Sequence, residues 1–385
     1  MKFLLSAVLF LTTCFWSWAD VIWSPSRDFF VDPPEGWTFV EDPAPEHFVM
    51  TDPSRTVILE IFSQDKAADA TLADKTKDLK ARLKATGEEL TFAWLGRKAW
   101  LCDAHFIAGP VKAHGWALVA DTGKGWISAL AYTPEDNAPK VADVLNSALD
   151  SLALGNEGRL EPGPLTAFFQ ATAKPAPPES KALAGLPTPF TMTYDPNQDE
   201  AIQVVLDRES RILTALVPKN LNDQKTIAPA WSRFYRQIYR SFYASVAPLA
   251  AYWESQVNEK RVTRDKLPQT VLSWLQSFQY SHKKDLSDIS TPWQTLKEGA
   301  GDCDSRALVY LALMDQVGVH GILMVSAPYS HGMAALDLPG AGARFTFNGK
   351  PWLVAELTTP VALGQIASNM ADPSQWIGVD LKGQP

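Results

Sequence analysis

The chain has 385 residues, of which 46% are hydrophobic and 20% are charged, and its formal net charge is −8. This length and composition are typical of a globular protein of about two domains, each long enough to build its own core. The acidic balance, with no basic run along the chain, excludes nucleic acid and an anionic membrane surface as the main partner.

The first 19 residues have the pattern of an export signal. A positively charged start precedes a strongly apolar run over 3–11, and Ser17 and Ala19 supply small residues at the −3 and −1 positions of a cleavage site. The run is too short to span a bilayer permanently, and no later stretch is long and apolar enough. We therefore expect an exported protein, periplasmic or secreted, with no stable transmembrane segment after signal cleavage.

The three cysteines are Cys14, Cys102 and Cys303. Cys14 leaves with the signal, unless residues 11–14 form a lipoprotein box, in which Thr13 stands where a small Gly, Ala or Ser is expected. The other two are too few for a disulfide framework, and we expect no disulfide between them. Cys102 lies in the strand-like segment AWLCDAHF, which predicts a buried structural thiol. An unpaired thiol is easily oxidised in an oxidising compartment. We therefore expect at least one of Cys102 and Cys303 to have a chemical function.

Residues 20–154 predict one α+β domain. Alternating apolar residues predict strands, amphipathic segments predict helices, and segment 29–40 predicts a strand, a Pro-Gly turn and another strand. The other predicted strands lie at 56–62, 99–108 and 115–120, and the predicted helices lie at 67–85 and 137–152.

Residues 155–187 are dense in Pro, Gly and Ala and predict a linker, and a second domain follows over 188–385. Its long predicted helix at 228–259 carries an aromatic stripe, which we assign to the core rather than to a ligand site. The other predicted elements of this domain are strands at 190–194 and 202–217, helices at 267–278 and 303–317, and short strands around Ile322, Met333, Phe345 and Leu353.

The segment GAGDCDSRALVYLAL places Cys303 where a Gly-rich turn enters a helix. Unpaired backbone amides and the helix dipole favour a thiolate at a helix N-terminus, which is how a cysteine becomes a nucleophile near neutral pH. Asp302 and Asp304 oppose this effect electrostatically, although either could cap the helix. The structural alternative is that Cys303 is a small buried hydrophobe.

A thiol nucleophile needs a base, and three histidines lie in the same predicted domain. His320 lies at the start of a strand that we expect to be buried, His282 lies in a polar loop, and His331 opens a strand of small and apolar residues. A lone histidine is usually structural or exposed, so the residues alone leave this choice open.

The order of these segments resembles the transglutaminase-like, papain-related superfamily. Its pattern is GDC-[DE] at a helix start, a His that opens a strand, and an acidic residue on the next strand. This chain has GDCD around Cys303, SHGMAALDLPG around His331 and WLVAELTTP around Glu356. The segments WLQSFQYSHKKD and TPWQTLKEGAGDCDS are also similar to bacterial members, so the resemblance covers roughly residue 267 to the end.

The resemblance implies a role for each matching residue. Cys303 would be the nucleophile, His331 the base, and Glu356 the group that holds the imidazole, although the family more often has Asp there. Asp337 is the competing orienting acid, because strand alternation places it on the same face as His331. Gln276 matches the glutamine of the oxyanion hole, where its amide and the backbone N–H of Cys303 would meet the developing negative oxygen.

No cofactor and no metal site are expected. The spacing of Asp195, Asn197 and Asp199 is similar to that of a calcium loop, but Glu200 replaces the needed Gly and no twelfth-position ligand is evident. The N-terminal motif DPPEGWTFV faintly resembles the PsbP-like fold and carries no catalytic residue, so we expect that domain to bind or to scaffold.

The expected fold class is α+β, with an N-terminal α/β sandwich-like domain and a C-terminal transglutaminase-like, papain-like domain. The resemblance implies an exported cysteine-dependent hydrolase or acyltransferase that acts on peptide or isopeptide amide bonds in the cell envelope through an acyl-thioenzyme. Hydrolysis and transamidation share that intermediate. The alternative is a non-catalytic envelope protein that uses the fold to bind a partner or as a structural element.

Overall fold

The protein is a mixed α/β structure with several sheets, seen in a computed structural model. The structure describes residues 21–24, 28–40, 46–65, 70–217, 223–282 and 287–383. The expected signal over 1–19, with Cys14, lies outside the described residues. Within those ranges, every helix is too short or too polar to cross a membrane.

The helices and strands are as follows. The strands are β1 Ile22–Ser24, β2 Phe29–Val31, β3 Thr38–Phe39, β4 His47–Thr51, β5 Ile58–Asp65, β6 Glu89–Trp94, β7 Arg97–Ala108, β8 Val111–Asp121, β9 Gly125–Pro134, β10 Ala153–Leu154, β11 Glu179–Ala182, β12 Thr191–Tyr194, β13 Gln279–Tyr280, β14 Ala300–Gly301, β15 Gly321–Ser326, β16 His331–Leu336, β17 Arg344–Phe347, β18 Lys350–Ala355 and β19 Ile377–Val379. The helices are α1 Leu72–Leu83, α2 Ala138–Asp150, α3 Pro164–Thr172, α4 Pro196–Leu216, α5 Gln224–Phe242, α6 Ala247–Asn258, α7 Leu267–Gln276, α8 Pro292–Glu298 and α9 Cys303–Gln316.

A seven-stranded antiparallel sheet in the order β3-β4-β5-β9-β8-β7-β6 organises the first part of the chain. Successive residues of β7 face opposite sides, as in any strand. Leu101 packs in the core that contains Leu149 of α2, whereas Trp100 and Cys102 pack in the core that contains Leu79 of α1. Both faces of the sheet are therefore covered, and Cys102 is buried.

The predicted strands and helices of residues 20–154 are confirmed, with small shifts at their ends. Helix α1 begins at Leu72 because Thr71 caps it. The Thr71 side chain accepts the Asp74 backbone N–H, and the Asp74 carboxylate accepts the Thr71 backbone N–H in return.

The Pro-rich segment 155–187 contains regular structure. Helix α3 packs on β6, where the rings of Phe168 and Phe92 meet edge-on with centroids 5.4 Å apart. Strand β11 pairs antiparallel with β12. Pro164 occupies the first turn of α3, where a missing N–H costs no helical hydrogen bond, so the Pro-rich composition is compatible with a helix.

The prediction of strands at 202–217 is wrong, because this segment belongs to helix α4. Asp195 caps the helix by accepting the Asn197 backbone N–H at 2.9 Å, and a proline follows at the first helical position. The β-branched residues suggested a strand, but the buried positions recur with helical spacing. These buried apolar residues are Ile202, Val205, Leu206 and Ile212.

The single helix predicted at 228–259 is two helices, α5 and α6, separated by a 3₁₀ turn at Tyr243–Val246. Pro248 lies in the first turn of α6, where its missing N–H costs that helix no hydrogen bond but could not continue an α-helix from α5. The proline is therefore compatible with a new helix start at this position.

Helix α9 lies at the centre of the second part of the chain. It packs against strands β15 and β16 and against helices α6, α7 and α8. Its side chains are buried on all sides, as expected for a helix in the middle of a core. The five-stranded antiparallel sheet beside it has the order β17-β18-β16-β15-β19. This packing fixes the position of Cys303 at the helix start.

Buried ion pairs join the two parts of the structure. Arg208 of α4 donates to Asp150 of α2 at 2.9 Å, and Arg233 of α5 donates to Glu209 at 2.7 Å. Burial raises the pKa of Glu209, but Arg233 and Arg208 outweigh it and leave that pKa below its usual value. Removing one partner would leave a buried charge uncompensated, so these pairs hold α4 and α5 against α2.

Candidate active site

Local turn chemistry places Cys303 as the first residue of α9. Gly299 ends α8 with φ 59°, in the left-handed region that glycine adopts without strain. Asp302 then caps α9, because its carboxylate accepts the Ser305 backbone N–H at 2.8 Å. Strand β14 pairs with β13, which brings Tyr280 beside this turn. The backbone N–H of Cys303 is one of the helix N-terminal amides that have no partner within the helix.

His331 and Glu356 meet on neighbouring antiparallel strands. His331 opens β16, Glu356 directly follows β18, and Nε2 of His331 lies 2.7 Å from Oε2 of Glu356. The other carboxylate oxygen accepts the backbone N–H and the hydroxyl of Thr358, both at 2.6 Å. Burial raises the pKa of Glu356, but the bonds from His331 and Thr358 outweigh it and lower that pKa. Glu356 is therefore an ionised acceptor that orients the imidazole ring.

The other candidates lie elsewhere. Asp337 follows the end of β16, is exposed and pairs with Lys350, so it does not orient His331. The prediction that His320 is buried is wrong, because it is exposed and lies 3.3 Å from Asp315. His282 is also exposed. The structure thus brings His331 together with Glu356 and with none of these alternatives.

Cys303 and His331 line one cavity of about 420 Å³. The backbone N–H of Gly332, next to His331 in sequence, donates to the sulfur, and the Cys303 Sγ lies 3.8 Å from Asp304 Oδ1. Burial, followed by the charges of Asp304 and Asp302, raises the thiol pKa far above its usual value. The expected thiolate is therefore not favoured at rest, because burial and the two carboxylates outweigh the helix N-terminus.

Asp302 and Asp304 are themselves perturbed. Burial raises the pKa of Asp302 to about 6, and burial with the charge of Asp302 raises the pKa of Asp304 to about 7. Asp304 accepts the Tyr235 hydroxyl at 3.0 Å. Gly332 allows this arrangement, because a Cβ at that position would lie 1.9 Å from Asp304 Oδ1.

Sequence reasoning assigned the aromatic stripe of α5 wholly to the core, and this was incomplete. Trp231, Phe234 and Tyr235 of that stripe line the cavity beside Cys303, together with Tyr280. The hydroxyl of Tyr235 could have indicated this, because a buried tyrosine O–H needs a polar partner and so points to a polar group beside the stripe.

Gln276 is the last residue of α7 and is buried. Its Nε2 donates to the backbone carbonyls of Glu356 at 2.8 Å and of Val361 at 3.0 Å. The amide therefore holds the segment that carries Glu356. An amide nitrogen has two hydrogens, and these two bonds use both of them. Gln276 could therefore donate to an oxyanion only after it releases one of the two carbonyls.

A second cavity of about 810 Å³ is lined by His331, Glu356 and Thr358. Tyr280 and Ser330, with His331, line both cavities. The two cavities therefore adjoin at these three residues, and we describe them as two lobes of one groove.

Cys102 and Cys303 are both free, which confirms the prediction that they are not joined. Burial, followed by the charge of Glu89, raises the pKa of Cys102 to about 11. In the described ranges, no group of three or more His, Cys, Asp or Glu side chains could hold a metal ion. Asp195, first of the calcium-like spacing, caps α4.

No protein-family model and no curated protein matches the chain. Solved structures with some similarity include cyanobacterial PsbP (CyanoP) from Synechocystis sp. PCC 6803, with 19% identity over 35% of this chain and 93% of that chain and a TM-score of 0.29. Protein PA94 from Pseudomonas aeruginosa, of unknown function, has 15% identity over 29% and 78%, with a TM-score of 0.23. A protein from Bacteroides thetaiotaomicron VPI-5482 has 10% identity over 89% of both chains, with a TM-score of 0.28. Likenesses at such TM-scores carry no inference about function.

Proposed function

We propose that the protein is an exported cysteine-dependent hydrolase or acyltransferase that acts on peptide or isopeptide amide bonds. One observation carries the proposal. His331 lies 2.7 Å from Glu356 and shares the wall of one cavity with Cys303 at a helix start. A nucleophile, a base and a group that orients the base are the parts that acyl transfer through a thioester requires.

The chemistry follows from which ring nitrogen is engaged. Because Nε2 of His331 faces Glu356, Nδ1 takes the thiol proton as Sγ attacks the carbonyl carbon, and Glu356 stabilises the imidazolium. The C–N bond then breaks, and Nδ1 returns the proton to the leaving nitrogen. Water attacks the resulting thioester, His331 takes one of its protons, and the thiol is restored. An amine in place of water gives transamidation.

The raised pKa of Cys303 sets the order of these events. A thiol that stays protonated at rest cannot attack first and be deprotonated later, since only the thiolate is the nucleophile. Proton transfer to His331 therefore accompanies the attack, and the base is indispensable.

Two donors are proposed for the developing oxyanion. The backbone N–H of Cys303 is the first. The second is Gln276, once its amide releases the carbonyl of Glu356 or Val361. The alternative is Tyr280, a residue that lines both lobes.

The proposal extends to the fold and the cellular setting. Residues 188–385 would be a transglutaminase-like domain, with the nucleophile on a central helix and the His and acid on neighbouring strands, and residues 20–154 a PsbP-like binding or scaffold domain. Residues 155–187 would connect them. The substrate would be a peptide or protein of the cell envelope. The alternative remains a non-catalytic envelope protein, and the raised thiol pKa and the engaged Gln276 amide are the observations that favour it.

An unbiased comparison of envelope peptides tests the proposal. Extracts incubated with the wild-type protein should gain new peptide termini that are missing with Cys303→Ala and with His331→Ala, while both variants keep the wild-type thermal stability. Triad members act as a unit, so the double variant should be little worse than either single one. If both single variants keep more than about a tenth of the wild-type rate, the assignment is wrong.

A further inference from the structure

The 420 Å³ cavity beside Cys303, which we name the acidic lobe, is unbalanced in charge. Asp288, Asp302 and Asp304 line it, and no lysine or arginine of the described chain does. The nearby Arg306 is fully buried and donates to the backbone carbonyls of Gly301 and Leu357, and its charge also acts on Asp302. Among the residues that the structure describes, no lysine, arginine or histidine forms a salt bridge with any of these three carboxylates, so they outnumber the cationic groups at the lobe.

One carboxylate oxygen of a residue that lines the lobe has no hydrogen-bond partner among the described residues. Asp302 is 2% exposed, its Oδ1 accepts the Ser305 backbone N–H, and its Oδ2 is buried with no hydrogen bond from the described residues. Asp304 uses Oδ2 for the Tyr235 hydroxyl, while Oδ1 has the Cys303 thiol at 3.8 Å. A buried acceptor without a donor costs free energy, so a ligand that donates to it is favoured.

Aromatic side chains complete the walls of the lobe. An organic cation is attracted both by carboxylates and by the faces of aromatic rings, and the attraction grows when water is displaced. The four aromatic residues that line it are Trp231, Phe234, Tyr235 and Tyr280.

We propose that the acidic lobe binds an organic cation, so that the substrate carries an alkylammonium or guanidinium side chain next to the bond that Cys303 attacks. This specificity rests on the hydrolase function proposed above. The cation is a recognition group and not the acyl acceptor, because the carboxylates stabilise the ammonium form, whose nitrogen has no lone pair to attack a thioester. The remainder of the substrate lies in the second lobe, where the charge of Glu356 is already engaged by His331.

Two thiol reagents of similar size and opposite charge test the lobe. The trimethylammonium-ethyl and sulfonato-ethyl methanethiosulfonates each transfer a thioalkyl group to a thiolate and release methanesulfinate. Mass spectrometry of the Cys303 peptide gives both rates at low salt and at pH 8, where Asp302 and Asp304 are ionised. The ratio of the two rates is then divided by the same ratio for free cysteine. Because the ratio cancels any change in thiol pKa, it reports the local potential alone.

We expect the ratio for wild-type protein to exceed that for free cysteine by about 10- to 100-fold, as in clefts lined by one sign of charge. It should fall several-fold in Asp288→Asn and in Asp304→Asn. The matched control is Asp337→Asn, which removes an exposed carboxylate outside the lobe and should leave the ratio unchanged. If Asp304→Asn fails to fold, Asp288→Asn still tests the proposal, because Asp288 is exposed and its replacement should not disturb the core.

Protection by a small cation gives a second readout. At matched ionic strength, n-butylammonium should slow iodoacetamide alkylation of Cys303, whereas butan-1-ol and butyrate should not. A wild-type ratio equal to that of free cysteine, or equal protection by butan-1-ol, would overturn the proposal. Both assays need only access to the thiol and not turnover. A protein that selects cations but releases no peptide would therefore refute the hydrolase and leave the cation site standing.

Discussion

Replacement of Asp304 by Asn tests whether the site stores unfavourable electrostatic energy. The wild-type carboxyl is buried beside Asp302, and burial with that neighbouring charge raises its pKa from 3.8 to about 7. The folded protein then keeps this proton up to about pH 7, whereas the unfolded chain loses it near pH 4. The folded state binds more protons across that window, so stability falls as the pH rises through it.

Three pKa units correspond to about 4 kcal/mol, which is an upper value because Asp302 shares the effect. Asn keeps an oxygen that can accept the Tyr235 hydroxyl. We therefore expect Asp304→Asn to raise the free energy of unfolding by about 2 kcal/mol at pH 8 and to change it by less than about 1 kcal/mol at pH 4. A stabilising substitution beside a catalytic residue is the usual sign of a site whose function opposes stability.

Urea denaturation at the two pH values measures the effect, with Asp337→Asn as the exposed control. The alkylation rate of Cys303 at pH 8 should rise in the same variant, because removing the carboxylate lowers the thiol pKa. Equal destabilisation by Asp304→Asn at pH 4 and pH 8 would refute the reasoning, since it would show a packing role instead of a charge effect.

Further predictions concern the orienting acid, the close approach at the site and the second thiol. Glu356→Gln should lower kcat/KM for peptide release by roughly 10²- to 10⁴-fold, because the imidazole loses its fixed acceptor, whereas Asp337→Asn should change it less than about twofold; the reverse ranking would transfer the role to Asp337. Gly332→Ala should lower the free energy of unfolding by about 1–3 kcal/mol in urea denaturation, because its Cβ would lie 1.9 Å from a carboxylate oxygen, and full stability would contradict that approach. Thiol titration of native protein should find Cys303 slow but reactive, because it lines an open cavity beside His331, and Cys102 silent until unfolding; a linked Cys102–Cys303 peptide would contradict both.

Local patterns were enough to predict the parts of the site that depend on one segment. The Gly-rich turn before Cys303 and the capping residue Asp302 specify a helix start, and the structure has one there. The strand that opens with His331 follows from its small and apolar residues. In the first part of the chain, alternation located β5, β7 and β8 for the same reason.

What depends on tertiary packing could not be predicted in this way. Segment 202–217 is rich in β-branched residues, which favour a strand. It is a helix because its apolar residues pack into the core with helical spacing. The thiol pKa depends on burial and on how closely Asp304 approaches, which requires Gly332 on a different strand. Likewise, spacing allowed both Asp337 and Glu356 to reach His331, and the pairing of β16 with β18 selects Glu356.

The most direct test of the central claim is to follow a covalent acyl group on Cys303. Wild-type protein mixed with p-nitrophenyl acetate should release a burst of nitrophenolate equal to the enzyme concentration, and intact mass and peptide mapping should locate one acetyl group on Cys303. In Glu356→Gln the adduct should form more slowly and also decay more slowly than in the wild type, because acylation and deacylation both need the oriented base. No burst, or acetylation that is unchanged in Cys303→Ala, would contradict the assignment of Cys303 as the nucleophile.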